Sequence, residues 1–123
     1  SNMSSSLALK KITELYDGEY FSSPVGEINV VEKMKQKNAD IGGEGNGGVI
    51  FPSTHYGRDS LIGIGLILTL LSERDISLSK LKKSLPTYYI HKTKTTFDQS
   101  MDKVISYFSN EYSNFDIDFN TFV

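Results

Sequence analysis

The alternation of apolar and polar positions predicts a series of helices along the chain. Apolar residues recur at helical spacing in residues 6–16, which predicts a first helix. In residues 27–37 they recur three positions apart opposite a lysine-rich face, which predicts a second, amphipathic helix. A continuous apolar run over residues 61–71 predicts a third helix, and Ser77 is a suitable N-cap for a fourth. A last helix is predicted over residues 96–112.

Short apolar segments between these helices predict strands. Residues 19–22 contain two adjacent aromatic side chains, and residues 39–42 and 49–51 flank a glycine-rich segment. Residues 88–91 form a further candidate, and residues 115–119 alternate apolar and acidic side chains as a half-buried strand does. The pattern therefore predicts short strands that alternate with helices.

Two glycines interrupt the apolar run over residues 61–71. Gly63 and Gly65 each destabilise a helix by about 1 kcal/mol relative to alanine, so they predict close packing against a sheet or another helix. The run itself is much shorter than the ~20 apolar residues that span a bilayer. We therefore expect a buried helix and no association with a membrane.

Composition excludes several classes of function. With 123 residues, the chain is long enough for one domain with a hydrophobic core and a tail. Its 13 Lys and Arg and 15 Asp and Glu give a net charge of -2 without a basic cluster, so no nucleic-acid binding is expected. Because cysteine is absent, disulfides and thiolate metal sites are excluded and a cytoplasmic location is expected. Ser1 and Asn2 precede Met3 and look like residues added by cloning, so the fold prediction starts after them.

The most unusual segment is residues 42–48, Gly-Gly-Glu-Gly-Asn-Gly-Gly, which holds half of the chain's 10 glycines. So many glycines indicate unusual backbone dihedrals or close approach to another group. Such a loop would present Glu44 and Asn46 together, as a carboxylate acceptor and an amide that both donates and accepts. On pattern alone, a ligand-binding loop and a structural turn are equally good interpretations.

If the segment binds a ligand, hydroxyl groups suit it better than phosphate. No lysine follows the glycines as in a P-loop, and the carboxylate of Glu44 would repel a phosphate. The dinucleotide pattern is not met either, because Val49 and the residues after it do not open a helix.

Other polar residues are weaker candidates. His55 and His91 lack Asp, Glu or His at metal-ligand spacing, so we expect surface or hydrogen-bonding roles. Arg58 and Asp59 could orient the loop, but a helix cap with a salt bridge explains them better. Glu27 fits a surface acid in the first turn of a helix, and the alternative is that it faces a ligand. No nucleophile, base and orienting group occur together, so we predict no catalytic residue.

Several short motifs occur in order along residues 5–94. They are Val25-Gly26-Glu27, the glycine-rich segment 42–48, Phe51, Asp59 at the start of an apolar helix, Ser77-Leu78 and Leu85-Pro86. Together they resemble the third domain of the α-D-phosphohexomutases, a family that includes phosphoglucomutase, phosphomannomutase and phosphoglucosamine mutase.

The resemblance implies a fold. Residues 4–95 would form a three-layer α/β/α domain of the α/β class with a mixed, four-stranded sheet, and the first strand of that sheet would be missing. Because this leaves a sheet edge exposed, we expect copies of the chain to pair as a homo-oligomer. The strand predicted at residues 115–119 has nothing to pair with in the preceding unit. Residues 96–123 would therefore be a linker helix and the first strand of the fourth domain.

The resemblance also implies substrate-binding residues. The family's loop usually reads G-E-x-S-G-H, and its Glu and Ser bind hydroxyls of the sugar ring. By position, Glu44 matches the glutamate, Asn46 stands where serine is common, and Gly48 stands where histidine is common. The implied substrate-binding residues are Gly43, Glu44, Gly45, Asn46, Gly47 and, near the ligand in some members, Glu27.

The implied activity is that of an isomerase. The family interconverts hexose 1-phosphate and hexose 6-phosphate through a phosphoserine and a bisphosphorylated sugar. Its phosphoserine loop, its Mg²⁺ loop and its phosphate loop are missing here, so we expect the chain alone to be inactive. Its partners would be a hexose phosphate and the other domains of the same enzyme, one of which would bind Mg²⁺. The alternative is a stand-alone carbohydrate-binding or protein-interaction module in which the glycines form a structural hairpin.

Overall fold

The computed structural model describes residues 1–91, 96, 98 and 100–114, which form five helices and one three-stranded sheet. The helices are α1 (Ala8–Leu15), α2 (Glu27–Lys37), α3 (Ser60–Glu73), α4 (Leu78–Ser84) and α5 (Met101–Glu111). The strands are β1 (Gly42–Gly43), β2 (Val49–Phe51) and β3 (His55–Asp59). The chain divides into two compact units, Ser1–Ile90 and His91–Val123, and α5 lies in the second.

The sheet is antiparallel, with the strand order β1-β2-β3. β1 pairs with β2 so that Gly42 lies opposite Ile50, and β2 pairs with β3 through a bulge. The chain thus has the expected α/β class, and three strands are what remains of a four-stranded sheet without its first strand, but the described strands are antiparallel where a mixed sheet was expected. The difference arises because residues 19–22 and 88–91 do not join this sheet.

Helices cover both faces of the sheet. Successive side chains of a strand point to opposite faces, so Val49 and Ile50 of β2 contact different layers. Ile50 is fully buried and packs with Val30 and Met34 of α2, which are also buried. On the other face, a Cβ added at Gly63 of α3 would lie 3.1 Å from Cγ2 of Val49. The first unit is therefore an α/β/α domain, as the resemblance implies.

α3 is the predicted apolar helix, but the expectation that it is buried is wrong, because none of its residues is buried among the described part of the chain. The close packing predicted for its glycines is confirmed at Gly63 and wrong at Gly65, where no atom of the described residues lies within 4 Å of an added Cβ. Leu61 is 79% exposed and Leu68 is 60% exposed. Among the described residues, no helix is long and apolar enough to cross a membrane.

Residues 19–22 have no regular secondary structure and so do not form the predicted strand. The chain after them hydrogen-bonds to the N-terminal residues: Met3 N–H donates to the Ser23 carbonyl and Ser23 N–H donates to the Ser1 carbonyl, both at 3.0 Å. These bonds accompany an isolated parallel bridge between Asn2 and Ser23. The omission of the first two residues from the fold prediction is therefore wrong, because their backbone groups take part in this pairing.

β3 is a strand that the sequence pattern does not predict. Its five residues are mostly polar and exposed, so they show no alternation of apolar and polar side chains. The turn before it is closed by Thr54 N–H, which donates to the Phe51 carbonyl at 2.9 Å. β3 matters for the site because it carries Arg58 and Asp59.

In the second unit, α5 is the described element. It begins at Met101 after Ser100, later than the start predicted at residue 96. The rings of Phe108 and Tyr112 stack with their centroids 5.6 Å apart. The strand predicted at residues 115–119 lies outside the described residues.

Candidate functional site

The glycine-rich segment forms the hairpin connection between β1 and β2. The N–H of Gly47 donates to the carbonyl of Glu44 at 3.2 Å, which closes a turn. Gly47 has a φ of 100° and Gly48 a φ of 81°, in the left-handed region that favours glycine. A structural role therefore explains these two glycines, and the question for ligand binding is where the polar side chains of the loop lie.

The carboxylate of Glu44 points into the protein, and its side chain is 6% exposed. Oε1 accepts hydrogen bonds from Nδ2 of Asn2 at 2.7 Å and from the N–H of Gly26 at 3.2 Å. Oε2 lies 3.4 Å from Nη1 of Arg58. These partners offset the cost of removing a charge from water. Among the described residues, Oε1 accepts from two donors and Oε2 lies 3.4 Å from the guanidinium, so Oε2 has more acceptor capacity left.

Asn2 links the N-terminal segment to Glu44. It is 3% exposed, and its Oδ1 accepts a hydrogen bond from Oγ of Ser5 at 2.7 Å. Ser5 in turn lies against the loop, because a Cβ added at Gly45 would lie 3.1 Å from its Cα. A glycine at position 45 therefore allows the loop and the N-terminal segment to pack closely.

Arg58 connects the two acidic residues that the sequence selected as candidates. Its Nε lies 3.0 Å from Oε2 of Glu27, and its backbone N–H donates to Oε1 of Glu27 at 3.3 Å. Its Nη1 reaches Glu44, so one guanidinium bridges the start of α2 and the loop. The side chains of Arg58 and Glu27 are 39% and 37% exposed, which leaves this ion pair open to solvent.

Asp59 caps α3, as predicted. Its Oδ1 accepts from the N–H groups of Leu61 at 2.8 Å and Ile62 at 3.0 Å. The backbone hydrogen bond from Ile62, followed by the bond with His55, lowers the pKa of Asp59 from its ordinary value. Nδ1 of His55 accepts from the N–H of Gly57 at 2.9 Å, so in neutral His55 the proton lies on Nε2, which faces Asp59 at 3.2 Å. The hydrogen-bonding role expected for His55 is confirmed.

Two cavities adjoin the loop. An open depression of about 370 Å³ is lined by Asn46, Gly47, Gly48, Arg58 and Ser60. A larger, mostly apolar cavity of about 620 Å³ runs along β1, and its lining includes Glu44, Gly43 and Gly47. Glu44 and Asn46 therefore line different cavities, and the structure does not present them together as the sequence suggested.

Sequence reasoning missed two residues of this network and underrated a third. Asn2 and Ser5 carry no periodicity or spacing that marks them, and Asn2 is one of the two residues that precede Met3. The sequence favours a role for Arg58 beside a helix cap, whereas the structure shows that it contacts both Glu27 and Glu44. An arginine that follows an acidic loop residue can indicate an ion pair between them. Here Arg58 and Glu44 are so far apart in the sequence that the pairing is not evident from it.

The fold and the site together define a class: an α/β/α domain whose glycine hairpin carries acidic and amide groups. Residues 1–89 match the family described as phosphoglucomutase/phosphomannomutase, alpha/beta/alpha domain III. The chain belongs to this family. The match includes Ser1 and Asn2, in agreement with their place in the fold.

Relatives of this chain carry the names of phosphohexomutases, which are isomerases. The phosphoglucosamine/phosphogalactosamine mutase of Sulfurisphaera tokodaii is 34% identical over 92 residues, which are 75% of this chain and 20% of that protein. The phosphoglucomutase/phosphomannomutase of Thermococcus kodakarensis is 33% identical over 94 residues, or 76% and 21%. The phosphoglucosamine mutase of Pasteurella multocida is 31% identical over 88 residues, or 72% and 19%. The chain spans about a fifth of the length of these relatives.

Proposed function

We propose that this chain is the sugar-binding domain of a cytoplasmic phosphohexomutase, which interconverts hexose 1-phosphate and hexose 6-phosphate through a phosphoserine and a bisphosphorylated sugar. The observation that carries the proposal is the family match over residues 1–89, which includes the whole glycine hairpin. In this proposal the hairpin binds hydroxyl groups of the sugar, and the phosphoserine belongs to another domain.

The chemistry of the hairpin suits hydroxyl groups. A hydroxyl both donates and accepts, so one sugar hydroxyl can pair with a carboxylate oxygen such as Oε2 of Glu44 and another with the amide of Asn46. Glu27 adds a second acceptor close by, and Gly47, where an added Cβ would meet nothing within 4 Å, permits close approach of a ring. A phosphoryl group fits less well, because Glu27 and Glu44 outnumber the single guanidinium between them.

Binding through hydroxyls also suits a reaction in which the sugar must be held in two orientations. The phosphoryl group is transferred at either end of the hexose, so a contact that recognises ring hydroxyls can serve both half-reactions. We place Mg²⁺ in a different domain. Among the described residues, no group of three His, Asp or Glu side chains could hold a metal ion, so this part of the chain does not fit the ion.

A chimera tests the proposal. Residues 1–89 of this chain replace the matched segment of the Sulfurisphaera tokodaii mutase, and the interconversion of hexosamine phosphates is measured. We expect an active chimera. Glu44→Gln should lower kcat/KM by about 10- to 100-fold, the loss expected for one charge-assisted hydrogen bond. Glu32→Gln, which alters an exposed acid of α2, should have no such effect.

The same chimera separates the proposal from its alternative. A stand-alone carbohydrate-binding module, which the structural role of Gly47 and Gly48 would favour, predicts a folded chimera that binds sugar and does not turn it over. A folded, inactive chimera therefore contradicts the mutase domain. An unchanged kcat/KM for Glu44→Gln removes Glu44 from the substrate site.

We also propose that copies of the chain pair along β1. β1 is at the edge of the described sheet, and the cavity of about 620 Å³ runs beside it. An edge strand offers unpaired backbone groups to another chain. Light scattering at high concentration should report a dimer or larger species, and a monomer would count against pairing.

A further inference from the structure

Two carboxylates bind part of the Arg58 guanidinium, and the rest of it is accessible to a ligand. Nε contacts Glu27 at 3.0 Å and Nη1 contacts Glu44 at 3.4 Å. A guanidinium carries five N–H donors. In the part of the chain that the structure describes, Nη2 has no hydrogen-bond partner. The side chain of Arg58 is 39% exposed, so a ligand can reach this nitrogen. The two carboxylates therefore fix the orientation of the side chain and leave donors for a further acceptor.

Gly48 creates the space for this side chain. A Cβ added at Gly48 would lie 2.9 Å from Cβ, 3.0 Å from Cδ and 3.2 Å from Cγ of Arg58. At these distances something would have to shift, so a side chain at position 48 and the present conformation of Arg58 exclude one another. The stem of Arg58 thus occupies the space that a side chain on the loop would take.

The open donors belong to a polar depression. Arg58 lines it with Asn46, Gly47, Gly48 and Ser60. An anion is not favoured there, because Glu27 and Glu44 already balance the charge of the guanidinium. A hydroxyl fits better, since its oxygen accepts from Arg58 while its hydrogen is donated to the amide oxygen of Asn46 or to a carboxylate.

We propose that Arg58 binds a ring hydroxyl of the hexose directly, as a substrate-binding residue outside the glycine-rich segment. This inference rests on the proposed function, namely that the hairpin binds the sugar. Glu27 and Glu44 position the guanidinium, and Gly48, which lacks a side chain, leaves room for the Arg58 side chain. The site is thus built from α2, the hairpin and β3 together.

Affinity measurements on the full chain test this assignment. The probes are glucosamine 6-phosphate, methyl glucoside and inorganic phosphate, each titrated into ¹⁵N-labelled protein. Arg58→Lys keeps the charge but loses the planar fork of donors, and Arg58→Gln loses both. Each should weaken binding of the two sugars by about tenfold or more, as expected for a charge-assisted bond. The matched control is Arg74→Lys, which alters an exposed arginine that contacts Tyr16 and should leave affinity unchanged.

A direct observation on the unaltered protein accompanies the variants, in case a variant does not fold. The guanidinium resonances of Arg58 should shift with glucosamine 6-phosphate and with methyl glucoside. Unchanged resonances, or equal affinities of wild type and a folded Arg58→Lys, overturn the role of Arg58 and leave the proposed function standing. A response to inorganic phosphate without one to methyl glucoside overturns the hydroxyl assignment. Failure of the wild-type chain to bind either sugar overturns this inference, whereas a folded, inactive chimera overturns the proposed function.

Discussion

α2 and α3 cover opposite faces of one sheet, but they bury apolar residues in different ways. Val30 and Met34 of α2 are 2% and 4% exposed, while Leu61 and Leu68 of α3 are 79% and 60% exposed. The amphipathic sequence of α2 specifies both a helix and the face that it buries. The uniformly apolar sequence of α3 specifies a helix without a preferred face, and Gly63 marks the side that meets the sheet.

The two helices also begin differently, and this difference locates the site. The N–H of Gly26 and the carboxylate of Glu27, at the start of α2, bond to Glu44 and Arg58. The first N–H groups of α3 instead donate hydrogen bonds to the carboxylate of Asp59. The start of α2 is therefore part of the site, and the start of α3 is a local cap beside it.

The largest expected effect concerns the layer between α2 and the sheet. Ile50→Ala should lower the free energy of unfolding by about 2 to 5 kcal/mol, because Ile50 is fully buried and its truncation leaves a cavity. Leu68→Ala on α3 should change it by less than about 0.5 kcal/mol, since that side chain is exposed. Urea denaturation measures both values. Equal losses would show that α3 buries as much of its surface as α2.

Asn2→Ala is expected to have the next largest effect. It removes the 2.7 Å donor to a carboxylate that is 6% exposed, so the loss should be about 1 to 3 kcal/mol. Asn29→Ala is the matched control, because the amide of Asn29 bonds to the Val25 carbonyl at an exposed position. It should cost less than about 1 kcal/mol. Denaturation curves that show the same small loss for both would remove Asn2 from the buried network.

Two glycine variants measure the contact between the loop and Arg58. Gly47→Ala and Gly48→Ala each force alanine into a left-handed backbone, at a cost of about 1 to 2 kcal/mol. Gly48→Ala should cost more, because an added Cβ meets the stem of Arg58, whereas nothing lies within 4 Å of one at Gly47. Thermal unfolding compares them. If Gly47→Ala is as destabilising, the stem of Arg58 does not occupy that space.

The smallest expected effect is the pH dependence that Asp59 gives to α3. The backbone N–H of Ile62 and then His55 lower the pKa of Asp59 below its ordinary value of 3.8. The unfolded chain therefore takes up the proton first as the pH falls. The stabilisation is complete above pH 3.8 and is lost as the pH falls through the lower, folded-state pKa. Asp59→Asn should reduce the acid sensitivity of unfolding below that pH, and an unchanged profile would contradict the cap's contribution.

Elements with a clear local pattern of apolar and polar residues are predicted correctly from the sequence. The bounds of α2 and β2 match the predictions, and Asp59 is the predicted cap of α3. β3 is missed because polar, exposed residues carry no alternation. Residues 19–22 carry two adjacent aromatic side chains but form no strand, because aromatic content does not show whether a partner strand is available.

In the candidate site too, the sequence marks some residues and does not predict the contacts between them. The glycine-rich segment and Glu44 stand out in the sequence, but the direction of the Glu44 side chain depends on contacts from distant parts of the chain. Its partners Asn2 and Gly26 precede it by 42 and 18 positions. Arg58 reaches Glu27 across 31 positions. Such links follow from packing, and no local pattern encodes them.

The most direct test of sugar binding by the hairpin is to map where a hexose phosphate binds on the full chain. Amide resonances of ¹⁵N-labelled protein are followed during titration with glucosamine 6-phosphate, for the wild type and for Glu44→Gln. If the hairpin binds the sugar, the resonances of Gly43 to Gly47 and of the side-chain amide of Asn46 should shift, and Glu44→Gln should bind the ligand more weakly. Shifts confined to other segments, or a hairpin that does not respond at saturating ligand, would contradict it.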